Sequence, residues 1–562
     1  MDMNPPTTPP GWPPLNSGFE PVVPDQQPES QPRPSFWRLN LFPFSFNVSD
    51  LMHRPFSLNW RDALLFPLAV ALLDVCLYSG GGLSGYGVVF LLFPLLIVFG
   101  CRKSKIKFRA VFILSCLALL GLDLIWSGDL GDILAGCFLI VALSMTLNWL
   151  KPFMLESSLY LANCVPAGLL SMIHLIRKSK LARLRITRNA LGVFVPLLVF
   201  LIFGYIFTMA NPSLQELAVS YIDSIARFFF NSPITIGRIL FWACVLWLTA
   251  GLIRPWIHKD YEKRIFGLPE KQSIDDLPLS EKYVFLIARN TLIAVVSFFA
   301  LYLCYEIYSL MFIGLPQGYS HSRYCHQGAA WLTLALFTAT MILGMIFRGS
   351  LLKHANVHAL QCLTWCWSAE NFILAFCIIG RLMMYINYNG MSRMRVVAIC
   401  GIIAVLLGFL LVAWKVLRGK TLLWLIRRDL WALAMVVFIY IILPVDWIIT
   451  RYNVAQIMSG NALPAVQLVA HPIREEGLPC LLPLIKCENT DIRNGAAAML
   501  CQKQIELEAT IAGKKHWTEF QWSENRALSI LRKHQQNWGR YFNAELRIND
   551  LNRFERYGMQ WY

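Results

Sequence analysis

Residues 396–414 read V-V-A-I-C-G-I-I-A-V-L-L-G-F-L-L-V-A-W, a run of nineteen residues between Arg395 and Lys415 without a charged side chain. A helix needs about 20 such residues to cross the hydrocarbon core of a bilayer. On either side of this run, ten more apolar stretches are long enough to do the same. Together they predict eleven membrane-spanning helices, over residues 62–79, 86–101, 108–126, 131–150, 190–210, 236–254, 284–313, 328–347, 360–386, 395–415 and 429–449.

The whole chain has the composition of a polytopic membrane protein. Of its 562 residues, 56% are hydrophobic and only 15% are charged, whereas soluble domains contain about 25% charged residues. This composition excludes a conventional soluble enzyme, a disordered chain and a small disulfide-rich scaffold. The net charge of +16 does not indicate nucleic-acid binding, because the basic residues gather in short loops between apolar runs, a pattern that orients membrane helices.

The basic loops predict the orientation of the chain. Loops 101–109, 177–188 and 415–428 are rich in Lys and Arg, and such loops stay in the cytoplasm. Eleven spans place all three on that side, with the N-terminus inside and the C-terminus outside. A twelfth span at 156–176 would put two of the basic loops on opposite sides. We therefore expect residues 156–185 to form a surface-lying or re-entrant element.

The predicted fold class is an all-α polytopic membrane helix bundle with about eleven transmembrane helices and a small helical C-terminal domain. Eleven of the 29 prolines lie in residues 1–34, and such a stretch forms neither a helix nor a core. The last hundred residues are polar, charged and rich in short helical patterns. The predicted regions are a disordered Pro-rich cytoplasmic tail at 1–50, N-terminal membrane helices with the surface element at 51–190, a core membrane domain at 191–451 and an extracytoplasmic helical domain at 452–562.

The aromatic residues of the C-terminal domain have two interpretations. They form its core, or they rest on lipid headgroups, where Trp and Tyr are enriched. The sequence leaves both open for Trp517, Phe520, Trp522, Trp538 and Tyr541.

Ionisable residues inside the apolar runs are candidate functional residues, because a charge at the centre of a membrane costs at least about 2.5–3.5 kcal/mol. Glu306 and Arg381 lie at similar distances from the outer ends of their spans, so we expect them to pair. Glu370 lies eleven residues before Arg381, about three helical turns, and Tyr385 continues the same face. One interpretation is a polar intramembrane cavity lined by these four side chains. The alternative is a structural salt bridge that fixes helix packing.

Other polar groups in the apolar runs favour structural roles. Asp74 and Asp123 lie near the outer ends of their spans, where a helix-end role fits better than catalysis. One face of a single helix cannot surround a tetrahedral metal ion. We therefore predict no catalytic residue, no cofactor and no metal site. Two weak His/Cys groups do not change this prediction: His354, His358, Cys362 and Cys366 on one helix, and His321, Cys325 and His326 in a loop.

Several short motifs follow one another in a distinctive order. They are Asn211-Pro212, the stretch containing Tyr388, Gly390, Arg393 and Arg395, the triplet Arg451-Tyr452-Asn453, and Trp517-Thr518-Glu519-Phe520. In this order they resemble the bacterial membrane family catalogued as domain of unknown function 4173, over roughly residues 190–530. The chain departs from that pattern at Gln521, where Asn is usual. The resemblance implies a multi-pass protein of the bacterial cytoplasmic (inner) membrane, and it implies no activity.

Three classes of function remain open. The favoured one is a membrane-anchored interaction, sensory or scaffold protein that binds an envelope protein through residues 452–562. The first alternative is a transporter or channel, although the spans show no matching pair of Gly/Pro-broken helices. The second is a membrane enzyme acting on lipid or envelope precursors, although no loop carries an acid/base or metal constellation. The predicted partners are the lipid bilayer and this envelope protein, and not nucleic acid.

Overall fold

The computed structural model describes residues 60–101, 107–178, 235–255, 281–309, 357–418 and 422–561, with a few isolated positions between these ranges. Across these ranges the chain forms helices and turns and no β-strand, which confirms the all-α class. The membrane region contains α1 (Trp60–Leu73), α2 (Leu83–Gly100), α3 (Phe108–Trp126), α4 (Leu130–Leu147), α5 (Met154–Lys178), α6 (Ile236–Ile253), α7 (Glu281–Tyr308), α8 (Val357–Asn389), α9 (Arg393–Arg418), α10 (Leu422–Ile442) and α11 (Val445–Met458). The C-terminal domain adds α12 (Ala465–Ala470), α13 (Thr490–Gly513), α14 (Trp522–His534) and α15 (Ala544–Met559), with 3-10 helices at Leu478–Lys486, Trp517–Glu519 and Gln535–Phe542.

Seven of the described helices are long and apolar enough to cross a membrane, and each coincides with a predicted span: α2, α3, α4, α6, α7, α8 and α9. The bent pair α10 and α11 is an eighth candidate. The predicted span 62–79 is present as α1 followed by a π-helical turn, Asp74–Tyr78. The tail 1–50 and the predicted span 328–347 lie outside the described residues, as does almost all of span 190–210. The described helices are those of a multi-pass membrane protein.

The last predicted span, 429–449, is interrupted by a proline. Helix α10 ends at Ile442, and α11 continues at an angle of 65° to it. Pro444 has no backbone N–H to donate to the preceding turn, and its ring disfavours helical geometry in the residue before it. The apolar residues after the bend therefore leave the direction of the bundle. Val454 and Ile457 are buried in the core of the C-terminal domain.

The described membrane helices pack around two cores. The first sub-bundle consists of α1–α6 and surrounds buried residues such as Leu117. The second sub-bundle consists of α7–α9 and surrounds Trp367. Helix α10 belongs to both, because Leu425 near its start is buried in the second core and Ile441 near its end packs against the first. The chain therefore crosses from one sub-bundle to the other within a single helix.

Ion pairs tie the two outermost helices of the first sub-bundle together at both ends. Arg254, just after α6, pairs with Asp62 at the start of α1. At the other end, Asp74 accepts hydrogen bonds from Arg238 Nε and Trp242 Nε1, both at 2.8 Å. The carboxylate of Asp74 therefore anchors α6 against α1, which is a packing role.

Helix α5 occupies the segment for which the charge pattern predicts a surface-lying or re-entrant element. It is continuous and packs antiparallel along α6 through small residues. A Cβ at Gly168 would overlap the carbonyl oxygen of Trp247, and a Cβ at Gly251 would overlap that of Cys164. Trp247 Nε1 also donates to the carbonyl of Val165 at 2.7 Å. Close backbone contact between small residues drives helix association in membranes. The distribution of charged residues in the loops carries no information about such a contact.

We expect Gly168→Leu to separate α5 from α6. A side chain there meets the backbone of α6, and overpacking of this kind costs about 1–3 kcal/mol. The matched control is Gly408→Leu, because an added Cβ at Gly408 meets no described atom within 4 Å. Thermal unfolding of the detergent-solubilised protein should show a lower midpoint for the first variant only. Equal midpoints for the two variants would show that this contact does not stabilise the protein.

The C-terminal domain has its own core, arranged around α13. Gly495 lets the ring of Phe554 on α15 approach α13 closely. Trp538 Nε1 donates to Gln504 Oε1 at 3.0 Å, so the buried indole is satisfied. The hydroxyl of Tyr541 donates to Asp550 Oδ2 at 2.7 Å. Of the five aromatic residues with two interpretations, Trp538 and Tyr541 are therefore core residues, whereas the other three are exposed.

Candidate functional site

Three of the described turns meet the C-terminal domain at one end of the bundle, which we term the domain face. They are 79–82 between α1 and α2, 127–129 between α3 and α4, and 390–392 between α8 and α9. Two of these turns belong to the first sub-bundle and one to the second. The domain therefore contacts both.

The turn between α8 and α9 is built for close packing. Gly390 has φ +81°, a left-handed conformation that glycine adopts without strain, and its N–H donates to Ile386 O at 2.7 Å, which closes α8. Arg395 donates to the carbonyl of Gly390. Its guanidinium carbon also lies 3.9 Å from the centre of the Tyr385 ring. The first turn of α9 is thereby joined to the last turns of α8.

Helix α11 holds this turn through the side chain of Asn453, which is fully buried. The amide accepts from Met391 N at 2.7 Å and donates from Nδ2 to Met391 O at 2.9 Å. Both backbone groups of Met391 are therefore satisfied by one side chain. The neighbouring Tyr452 donates from its hydroxyl to Asn387 Oδ1 at 3.1 Å.

Four alternating charges, which we term the charge chain, join the two sub-bundles through α11 and the domain. Arg393 at the start of α9 donates from Nε to Asp446 Oδ1 at 2.8 Å. Asp446 Oδ2 lies 3.8 Å from Arg474 Nε of the domain. Arg474 Nη2 donates to Asp129 Oδ2 of the α3–α4 turn at 3.2 Å. These groups are partly exposed, so each ion pair contributes little to the free energy of unfolding. The charge chain matters because it links the two sub-bundles.

A partly buried carboxylate, Glu476, lies beside the charge chain. Ser127 of the α3–α4 turn donates to Glu476. Burial raises the pKa of Glu476 above its ordinary value; the Ser127 hydrogen bond opposes this shift and the nearby Asp446 charge adds to it. Docking of the domain on this turn is therefore sensitive to the proton on Glu476.

The turn between α1 and α2 receives Thr518, which is completely buried. A Cβ at Gly80 would overlap the Thr518 side chain, and one at Gly82 would overlap its backbone. The two glycines therefore leave the space that the domain fills.

The residues after Thr518 continue this contact onto α2 and α3. Ser84 in the first turn of α2 donates to the carbonyl of Phe520. Gln521 Nε2 donates to Leu124 O in the last turn of α3 at 3.0 Å. Gln521 departs from the motif pattern noted above, and here it satisfies a carbonyl at a helix end, as such ends require.

Within the second sub-bundle, the predicted pairing of Glu306 with Arg381 is confirmed. Arg381 Nη2 lies 2.5 Å from Glu306 Oε1, and Glu306 is almost fully buried. Tyr302 donates from its hydroxyl to Glu306 Oε2 at 3.4 Å. Glu370 lies eleven residues away from Arg381 on α8, about 16 Å along the helix, and Glu370 Oε2 is buried without a hydrogen-bond partner among the described residues. Tyr385 packs under Arg395.

A family model matches residues 108–471, from the start of α3 to just past α12. This is more than half of the chain, and it includes the α8–α9 turn, Asn453 and Asp446. The family is described as a domain of unknown function, DUF4153. The chain belongs to the DUF4153 family. Comparisons with curated proteins and with solved structures give no match.

Membership of DUF4153 corrects the family named from the motifs. Both are domains of unknown function, but the number 4173 was wrong. The motifs are short, and many membrane proteins need Gly, Asn, Arg and Tyr at turns and helix contacts for the same physical reasons. The DUF4153 match also begins well before residue 190, so it includes helices α3–α5, which the motif range does not.

Most of the motif residues between 388 and 453 nevertheless share one location in this DUF4153 protein. Gly390, Arg393, Arg395, Tyr452 and Asn453 lie in or against the α8–α9 turn. Tyr388 lies on the last turn of α8, and Arg451 stacks 4.9 Å from the ring of Trp447 on α11. Sequence reasoning missed the partners of this cluster, Asp446, Arg474 and Asp129. No local pattern indicates a contact between residues separated by 345 positions.

We expect Gly390→Ala to destabilise the protein more than Gly460→Ala. Both glycines have positive φ, at +81° and +99°, and a left-handed conformation costs other residues about 1–2 kcal/mol. Only at Gly390 would the new Cβ also lie 2.6 Å from Asn453 Oδ1 and 2.9 Å from Pro464, which adds about 1–3 kcal/mol. The free energies of unfolding of the two variants measure the difference. Equal losses would show that close packing of this turn on α11 is unimportant.

We expect Glu476→Gln to stabilise the protein at neutral pH and to lose this advantage in acid. The folded state holds the Glu476 proton more tightly than the unfolded chain. This group therefore favours folding below its ordinary pKa of 4.5, and that contribution disappears as the pH rises through the folded-state pKa. Glu475→Gln makes the same change of charge one residue away and is the control. Unfolding midpoints across this pH range test the prediction, which fails if the difference from wild type is constant.

Proposed function

We propose that this DUF4153 protein is a membrane-anchored interaction or sensory protein, in which the C-terminal domain couples a bound partner to the two sub-bundles. The observation that carries the proposal is the charge chain. It runs from Arg393 in the second sub-bundle through Asp446 and Arg474 to Asp129 in the first. A displacement of the domain therefore acts on both sub-bundles at once.

The proposed location is the bacterial cytoplasmic membrane, with the domain on the extracytoplasmic side. Lys415 and Arg418 lie in the last turn of α9, and Arg427 and Arg428 lie near the start of α10. These residues occupy the end of the bundle opposite the domain face. Because loops rich in Lys and Arg stay in the cytoplasm, this distribution supports a domain that faces outward.

The outer surface of α15 supports binding of a protein partner. The helix packs on the domain through Phe554 and Gly558, which are buried. Leu546 and Ile548 are about half exposed on the same helix. The proposed partner covers these two apolar side chains, which lie on an otherwise charged helix.

We expect a photo-crosslinking amino acid at Leu546 to capture a protein in native membranes. The full-length chain carries the probe, so the contacts at the domain face stay intact. Adding Ile548→Asp should abolish the adduct, because a charge at this position opposes apolar docking. A probe at the exposed Ala509 on α13 serves as the control position. Absence of any protein adduct at Leu546 would contradict the interaction function.

A transporter or channel is the second candidate, favoured by the buried charges of α7 and α8. Glu306 and Arg381 form an ion pair, and the buried Oε2 of Glu370 has no hydrogen-bond partner among the described residues. An intramembrane carboxyl group of this kind often marks an ion pathway. Solute uptake by liposomes containing the intact protein would then be the deciding measurement. No feature of the described residues favours a membrane enzyme.

A further inference from the structure

The segment 517–523 has the reverse of the usual surface pattern. Its uncharged polar residues Thr518, Gln521 and Ser523 are 0%, 7% and 3% exposed, respectively, while the carboxylate of Glu519 accepts a hydrogen bond from Lys515 N. Its three aromatic residues point outward, with Trp517 52%, Phe520 45% and Trp522 58% exposed. A segment surrounded by water would present the polar side chains and bury the rings. The outer side of this segment is therefore an exposed aromatic surface of a kind that marks a binding site.

Contacts with membrane helices fix the position of this segment along the bundle axis. Thr518 fills the turn before α2, Ser84 holds the Phe520 carbonyl, and Gln521 holds the Leu124 carbonyl. The segment therefore lies where α2 begins and α3 ends. For helices that cross a membrane, these ends lie at the boundary between hydrocarbon and headgroups, where Trp side chains concentrate.

The apolar surface is continuous from the spans to this segment. Leu119 and Leu122 on α3 are about half exposed, as a lipid-facing side of a span should be. Above them, the rings of Trp126 and Trp522 lie 6.4 Å apart. The guanidinium carbon of Arg526 lies 5.5 Å from the centre of the Trp126 ring, and cationic side chains in this zone face phosphate groups. The lipid-facing side of α3 thus continues into the domain.

We propose that residues 517–522 form a lipid-binding surface through which the C-terminal domain rests in the headgroup region of the bilayer. The occupant is a glycerophospholipid, with its glycerol backbone and upper acyl chain against Trp517, Phe520 and Trp522. The polar inner side of the segment binds the ends of α2 and α3, and the aromatic outer side binds lipid. The domain is therefore held by the protein on one side and by the membrane on the other.

The test compares two phenylalanines of the same domain with similar exposure, 45% for Phe520 and 41% for Phe542. Phe542 ends a 3-10 helix that packs mainly on α13, α14 and α15. Each is replaced in the full-length chain by p-benzoyl-phenylalanine, a phenylalanine derivative that leaves the fold undisturbed at exposed sites. After irradiation of native membranes, mass spectrometry of the purified protein identifies each adduct.

We expect phospholipid adducts at position 520 and none at position 542. The same probe at position 517 should also capture phospholipid, which guards against a local defect at position 520. A protein adduct at position 520 would overturn the proposal in favour of a protein partner. An absence of adducts at positions 517 and 520, or equal lipid capture at position 542, would overturn it as well.

Discussion

The pair of hydrogen bonds between Asn453 and Met391 is the interaction on which the domain face depends. A chain that crosses hydrocarbon must satisfy its backbone polar groups within helices, and the groups left over gather at the turns. At the α8–α9 turn, Asn453 satisfies both groups of Met391 from another helix. That is possible only because α11 leaves the bundle direction at Pro444. One proline therefore places the asparagine that completes the turn and the aspartate that begins the charge chain.

The C-terminal domain is a structural link between the two sub-bundles and not a peripheral addition. Helix α10 contacts the second sub-bundle near its start and the first sub-bundle near its end. At the domain face, Asp446 and Arg474 form a second link between the two sub-bundles. The glycine-lined turn at 79–82 and the α3–α4 turn provide separate contacts on the first sub-bundle. The 79–82 turn thus makes a rigid, close-packed contact, and the α3–α4 turn makes a charged, solvent-accessible contact at the same interface. The rigid contact fixes the position of the domain, while the charged one responds to protons and salt.

The parts of this architecture that depend on local composition could be predicted from the sequence. The apolar runs predicted the helices, and similar depth in the membrane predicted the pairing of Glu306 with Arg381. The pairing of Asp74 with Arg238 could not be predicted, because 164 residues separate them and the arrangement of helices decides the contact. The packing of α5 on α6 could not be predicted either, because it depends on backbone contact at Gly168. Pro444 can be read from the sequence, but the apolar run continues past it. The predicted span therefore extends to residue 449, whereas α10 ends at Ile442.

The contact between Ser84 and Phe520 spans 436 positions of the chain, and this separation bears on biogenesis. The first two membrane helices emerge from the ribosome and enter the bilayer long before the segment that covers their connecting turn has been translated. Contacts between distant parts of a chain form slowly, because a large loop must close first. During synthesis, the turn at 79–82 and the upper ends of α2 and α3 therefore stay uncovered. Docking of the C-terminal domain is the last step of assembly, so a membrane quality-control system that recognises uncovered helix ends would distinguish finished molecules from incomplete ones.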